Sequence, residues 1–276
     1  MLQLIDAASI ATLFDELQSD IQQPAFWLAL GKIIWINVLL SGDNALVIAL
    51  ACRGLRPNHR LWGMVLGAGA AVVLRVIFTG IVVTLMEWPY LKLVGGLALL
   101  VIAAKLLVPD DEDDDSVKAA AHLWKAVQIV VVADIVMSLD NVIAVAAAAD
   151  GSVLLLILGL AISVPMIVAG AALILMVLTR LPILVWAGAA LLGWIAGGVI
   201  ATDLAVHPLV QRFFDGPLGA KLDALLATVG LGPHFGASGG VGELVLSLLG
   251  VILVLVAGSI WRRHKLDNSA TSASQA

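Results

Sequence analysis

The sequence predicts an all-α integral membrane protein of about seven transmembrane helices, built as an inverted three-plus-three repeat with one further C-terminal helix. Three observations carry this prediction. Hydrophobic residues make up 61% of the 276 residues and charged residues only 13%, with a mean hydropathy of +1.07. A soluble domain carries roughly twice that share of charge. Seven apolar stretches meet or approach the ~20 residues that a helix needs to cross hydrocarbon. Finally, a polar signature of the form Ser-x-Asp-Asn occurs twice, each time in the first helix of a group of three.

Taken in order, residues 1–25 form an extracytoplasmic segment. Leu4, Ile5, Ile10, Leu13, Phe14 and Leu17 fall broadly on one side of a short helix closed by Pro24, which suits the membrane surface. Asp6, Asp15 and Glu16 stand where a cleaved signal peptide would carry basic residues. The first repeat covers 26–108, with spans at about 26–51, 61–86 and 90–108. Lys92 and Lys105 trim the third span, but near its ends, where both can snorkel to the headgroups. Residues 109–123 form an acidic loop containing Asp110-Asp111-Glu112-Asp113-Asp114-Asp115. The second repeat covers 124–202, with spans at about 124–149, 152–179 and 182–202, the middle one kinked at Pro165. An external loop over 203–241 holds a short amphipathic helix carrying Leu218, Leu222, Leu225, Leu226 and Val229. The last span lies at 242–262, and 263–276 is a tail whose stretch 266–276 is small, polar and without order.

Basic residues set the orientation. Arg53, Arg56 and Arg60, then Lys105, Lys118 and Lys125, then Arg180, then Arg262-Arg263-His264-Lys265 fall on one side of a seven-span chain. The other side holds the acidic N-terminus, Glu87 with Lys92, Asp150, and a long loop with only Arg212 and Lys221. The N-terminus is therefore extracytoplasmic and the C-terminus cytoplasmic, in a bacterial inner membrane.

Some chemistries are excluded at once. A single cysteine, Cys52, allows no disulfide within the chain and no thiolate metal cluster. His59, His122, His207, His234 and His264 are scattered near ends and loops. The formal net charge of −5 comes largely from the 110–115 run and gives no sign of nucleic-acid binding. Nothing in the chain suggests an enzyme or a tightly bound cofactor.

The repeat is read from polar residues, because apolar helices resemble one another by chance. A shift of 97 residues carries Asn37 onto Asp134, Ser41 onto Ser138, Asp43 onto Asp140 and Asn44 onto Asn141. A shift of 92 carries Leu66-Gly67 onto Leu158-Gly159, and one of 93 carries Pro89 onto Pro182 and Gly95 onto Gly188. Each half has three spans, an odd number, so the second half runs opposite to the first. Inverted repeats with a site at their interface are a recurring transporter plan.

Depth agrees with this. Lys32 and Arg53 bracket the first span, and Lys125 and Asp150 the fourth. Asp43 and Asp140 then lie within about 4 Å of mid-membrane at a rise of ~1.5 Å per residue. A carboxylate there costs about 2.5–3.5 kcal/mol on insertion scales, so a duplicated one favours a functional site over simple helix packing. Ser41 and Ser138 suit packing at least as well as ligation. Residues 37, 41 and 44 share one helical stripe, as do 134, 138 and 141. Asp43 and Asp140 lie about 100° from their neighbouring Asn on a regular helix. Gly42 permits a local opening in the first copy; Leu139 offers none in the second, so the halves should differ there.

Asp carboxylates, Asn carbonyls and Ser hydroxyls are hard oxygen donors suited to Mg²⁺, Ca²⁺ or Mn²⁺. The candidate metal set is Asp43, Asn44, Asp140 and Asn141, extended by Asp134, Asn37, Ser41 and Ser138. Protonation of one carboxylate would offer a route to ion release. Arg75, near the middle of the second span, is either a counter-ion for these carboxylates or the anchor of an anion or amino-acid carboxylate; its repeat counterpart is Ile167. Asn37 and Asp134 share the stripe, and Asp134 is either a ligand or the partner of a cation.

The stretch Ser41-Gly42-Asp43-Asn44-Ala45-Leu46-Val47-Ile48-Ala49, echoed by Ser138-Leu139-Asp140-Asn141-Val142-Ile143-Ala144, resembles the TerC family of integral membrane proteins, particularly its YjbE-like branch. The resemblance covers roughly residues 26–202. It implies a fold similar to the lysine-exporter superfamily and export of manganese or another divalent cation, with Asp43, Asn44, Asp140 and Asn141 as central ligands. The expected partners are the bilayer and the transported ion, with a homodimer left open. Two rival readings stand beside it: an exporter of an amino acid or a tellurium-related oxyanion anchored by Arg75, and a non-transporting scaffold for metallation or stress response.

Overall fold

The computed structural model describes residue 22 and residues 24–39, 41–86, 88–108, 116–148, 153–214 and 240–273. Within them it leaves undescribed the side chains at 25, 38–39, 79–80, 82–86, 116–119, 139–148, 153–154, 156, 240 and 268–273. The proposed interfacial helix before Pro24, the acidic run 110–115 and the amphipathic helix around Leu218–Val229 lie outside the described residues.

Every regular element among the described residues is helical. In chain order these are α1 (Pro24–Leu39), α2 (Gly42–Cys52), α3 (Pro57–Met86), α4 (Leu91–Leu106), α5 (Ser116–Ala148), α6 (Val153–Arg180), α7 (Ile183–Ala201), α8 (His207–Phe214) and α9 (Gly240–Ala273). Five are long and apolar enough to cross a membrane, over Pro57–Phe78, Ala120–Ser138, Ile157–Arg180, Ile183–Ala201 and Val241–Asp267. The bent pair α1–α2 makes a sixth if counted as one span. At 16 residues, α4 rises only about 24 Å and falls short of the usual crossing length. The described helices therefore give five or six candidate spans where the sequence predicts about seven.

The first predicted span is two helices, with Phe26–Asn37 and Gly42–Cys52 bent by 51° to one another. Ser41 leaves helical geometry at φ −107°, ψ 5°, and Gly42 opens α2. The equivalent stretch of α5 runs unbroken through Leu139, as the missing glycine predicts. Pro165 does not end α6, and Ser163 Oγ donates to Gly159 O at 2.7 Å one turn before it. Two differences concern the C-terminal third. Residues 207–214 form a helix the sequence reading does not separate from loop. The polar tail continues α9 to Ala273, because no Gly or Pro interrupts the backbone ladder after Gly258.

Packing is organised by exchange between the two groups of helices. α3 packs on α5 and α6, the α1–α2 pair packs on α6 and α5, and α4 packs on α7, which also carries α9. Two contacts set the approach distances. A Cβ on Gly67 would lie 3.2 Å from Val130 Cγ1, and one on Gly159 would overlap Ile33. The core centres on α2, whose Val47, Ile48, Ala49, Leu50 and Cys52 are buried. Outward faces carry exposed Ile77, Leu173, Ile252 and Leu253, the arrangement expected of helices solvated by lipid.

The two ends of the bundle differ in charge. Arg53, Lys105, His122 and Lys125 line one cavity, and Arg53 with Arg262 lines another beside it. At the opposite end, Asp203 joins the start of α4 to the end of α7. It accepts the N–H of Tyr90 at 3.2 Å, of Leu93 at 3.0 Å and of Ala205 at 2.9 Å.

Candidate functional site

The site is built on the stripe of α1 that carries Asn37, the matching stripe of α5 that carries Asp134 and Ser138, and Arg75 on α3. The Arg75 guanidinium lies between the other three. Nη1 donates to Asn37 Oδ1 at 2.6 Å, and Nη2 to Asp134 Oδ1 at 2.7 Å and Ser138 Oγ at 3.0 Å. Nε reaches Ser138 Oγ at 3.3 Å. None of the four residues is more than 4% exposed. A planar guanidinium presents its donors in a fixed fork, so three helices are held in register by one side chain. The ion pair also answers the cost of each buried charge, since either alone would be strongly disfavoured.

Asn37 and Asp134 are the pair that the 97-residue shift superimposes. Arg75 therefore connects two positions that this shift superimposes. Among the described side chains, Asp134 is an ion-pair partner of Arg75.

Polar capacity is left over beside this network. Asn37 Nδ2, Ser41 Oγ, both amide atoms of Asn44 and Asp134 Oδ2 are buried without a hydrogen-bond partner among the described residues. Asn44, Arg75 and Asp134 face a cavity of about 20 Å³ whose remaining walls are apolar, including Val47, Ala71, Val130 and Ile167. That is room for one water-sized particle. Ile167, which a shift of 92 residues aligns with Arg75, forms part of the same wall.

The other predicted ligands are distributed unevenly. Asp43 stands in the first turn of α2, half-buried, and its Oδ1 accepts the N–H of Asn44 at 2.8 Å. A carboxylate is favoured at a helix N-terminus, and the break in the first span creates that terminus. Asp140 and Asn141 lie in the continuous backbone of α5, and their side chains are outside the described residues. Among the described residues no group of three or more His, Cys, Asp or Glu could hold a metal ion. Among the described residues, Arg75 engages Asn37 Oδ1, Asp134 Oδ1 and Ser138 Oγ, which leaves Asp134 Oδ2 and Asn44 Oδ1 unused beside the cavity.

Asp203 is the buried acid that sequence reasoning passes over. Its side chain is fully buried. Burial alone would raise its pKa, but the N–H groups of Ala205, Leu93, Tyr90 and Val206 outweigh that and hold it below the usual carboxylate range. Tyr90, at φ 69°, takes a left-handed turn that aims its N–H and that of Leu93 at this carboxylate. No periodicity or repeat marks the residue; its one signal is an acid two positions past a very apolar helix. The role is structural.

A family model described as the integral membrane protein TerC family matches residues 22–265. The chain is 40% identical over 210 residues to "Uncharacterized membrane protein YjbE" of Bacillus subtilis (strain 168), covering 74% of this chain and 95% of that one. It is 28% identical over 146 residues to "Uncharacterized membrane protein YceF" of the same organism, covering 50% of this chain and 57% of that one. No solved structure matches.

Proposed function

Because the chain belongs to the TerC family of integral membrane proteins, we propose that it exports a divalent metal cation, manganese first, from the bacterial cytoplasm. The site would lie mid-membrane between two inverted three-helix repeats. The observation that carries this reading is the buried Arg75–Asp134–Asn37–Ser138 cluster beside a one-particle cavity with unused oxygen donors. Buried ionisable residues in a membrane protein mark transport paths by default.

The inverted repeat is supported by an exchanged contact. Gly67 is covered by Val130, and Gly159 by Ile33. The glycines are 92 residues apart and their covering residues 97, so one contact maps onto the other when the halves are swapped. The packing of α3 on α5 and of the α1–α2 pair on α6 exchanges in the same way. In this reading the α1–α2 pair is one span and α4 a seventh, short one paired with α7. The basic end is cytoplasmic, which leaves the N-terminus outside.

Asp43 and Asn44 supply oxygens at the broken helix, and Asp140 and Asn141 supply the matching set from α5. Two carboxylates neutralise a divalent ion, while Arg75 already balances Asp134. Manganese retained by cells carrying Asp43→Asn or Asp140→Asn tests this. Both variants should retain more manganese and tolerate it less than the parent. Unchanged content and tolerance in both would sink the proposal. An Arg75-dependent flux of an amino acid or oxyanion without metal would replace it with the anion reading.

A further inference from the structure

The cavity beside Arg75 is small and chemically mixed. Its volume of about 20 Å³ suffices for one water molecule and for little else. A carboxylate, a guanidinium and a neutral amide face it, from Asp134, Arg75 and Asn44, and the remaining walls are apolar. Asn44 is 6% exposed and Asp134 4%, so bulk solvent does not satisfy them. Both amide atoms of Asn44 and Oδ2 of Asp134 nevertheless lack a hydrogen-bond partner among the described residues. Buried polar groups are satisfied in the great majority of cases, by protein or by ordered water. Both residues are also anchored. Asp134 Oδ1 accepts Arg75 Nη2 at 2.7 Å, and the backbone N–H of Asn44 donates to Asp43 Oδ1 at 2.8 Å.

We infer that this cavity binds a single water molecule that bridges Asn44 of α2 to Asp134 of α5. Water both donates and accepts. It can donate to Asp134 Oδ2 and accept from Asn44 Nδ2, which answers two of the unpartnered groups at once. Charge separates water from the other small occupants. A cation would sit against the Arg75 guanidinium, and an anion against the Asp134 carboxylate. A hard divalent ion takes about six oxygens, whereas the described wall offers Asp134 Oδ2 and Asn44 Oδ1. The water extends the network of Asn37, Arg75, Asp134 and Ser138 from α1, α3 and α5 to α2. The first Asp-Asn motif is thereby tied to the buried ion pair, whatever the protein transports.

Radiolytic hydroxyl labelling of the full-length protein in lipid nanodiscs reads such a water, because radicals formed from a bound water oxidise the side chains beside it. Val47 and Val130 line the cavity and are each 2% exposed, while Val254, 1% exposed, lies against Gly193 on α7. Burial alone would leave all three inert. With the water in place, Val47 and Val130 should be labelled several-fold faster than Val254. Asn44→Leu removes the amide, and Ala71→Val fills the space while keeping every polar group. Each variant, shown to be folded by its melting, should lose the excess labelling. Equal labelling of the three valines in the wild type would overturn the assignment, as would an excess that survives both substitutions. An excess that appears only after chelation would give the place to a metal ion, and one that appears only in Asp140→Ala would give it to that side chain. Either result also overturns the water.

Discussion

Arg75 Nη2 lies 2.7 Å from Asp134 Oδ1, with both side chains sealed from solvent in the middle of the bundle. This pair joins α3 to α5 across a sequence separation of 59 residues. Removing one partner strands the other. Arg75→Met or Asp134→Leu alone should cost about 3–5 kcal/mol, while the double substitution should recover most of it. Thermal unfolding of all four proteins in one detergent closes the cycle; additive losses would show that the pair is not coupled.

A second double substitution probes the repeat. Val at position 159 would overlap Ile33, so Gly159→Val should destabilise by about 1–3 kcal/mol. Ile33→Ala in the same chain should restore much of that loss. The related pair Gly67→Ala and Val130→Ala should follow the same pattern more weakly, because the contact at Gly67 leaves 3.2 Å. Rescue at one pair without the other would argue against equivalent packing.

The break between α1 and α2 gives a prediction that separates folding from transport. A Cβ on Gly42 meets nothing within 4 Å, so Gly42→Ala should be tolerated or stabilise by about 0.4–1 kcal/mol. By favouring an unbroken helix it should also turn Asp43 away from its helix-terminal position and reduce the manganese efflux proposed above. Normal melting with impaired efflux is the expected outcome; normal efflux would show that the opening is not required.

Asp203 supplies the pH dependence. Its folded-state pKa is lowered, so its contribution to stability is present above the unfolded carboxylate value of about 3.9 and fades as pH falls through the folded value. Melting should be insensitive to this group between neutral pH and about pH 5 and should fall below about pH 4. In Asp203→Asn the acid-dependent part should shrink, while Asp203→Ala should cost about 1–3 kcal/mol at neutral pH through the N–H groups left without an acceptor. An unchanged acid slope in Asp203→Asn would remove this residue from the account.

Much of this was legible in the residues because membrane chemistry is severe. Apolar length and the position of charge identify most spans, and the cost of burying Asp43, Asp134 or Arg75 makes each of them conspicuous. The contrast between Gly42 and Leu139 likewise foretold a broken helix in one half and a continuous one in the other. What periodicity does not carry is partner choice. Nothing in the spacing says that Arg75 selects Asp134, Asn37 and Ser138, because those contacts depend on how three helices rotate about their axes. The same holds for Asp203, whose partners at Tyr90 and Leu93 are more than a hundred residues away. The helical course of the C-terminal tail was not legible, because composition reports solvent preference and not where a hydrogen-bond ladder stops.

Arg75 is matched in the other half by Ile167, and both border the same cavity. In the inverted repeat proposed above, two identical halves would present equivalent walls to that cavity. A guanidinium on one wall and a hydrocarbon chain on the other break the equivalence. The charge facing Asp134 is therefore supplied from one wall alone, and losing Arg75 would leave a buried carboxylate that nothing at position 167 can neutralise.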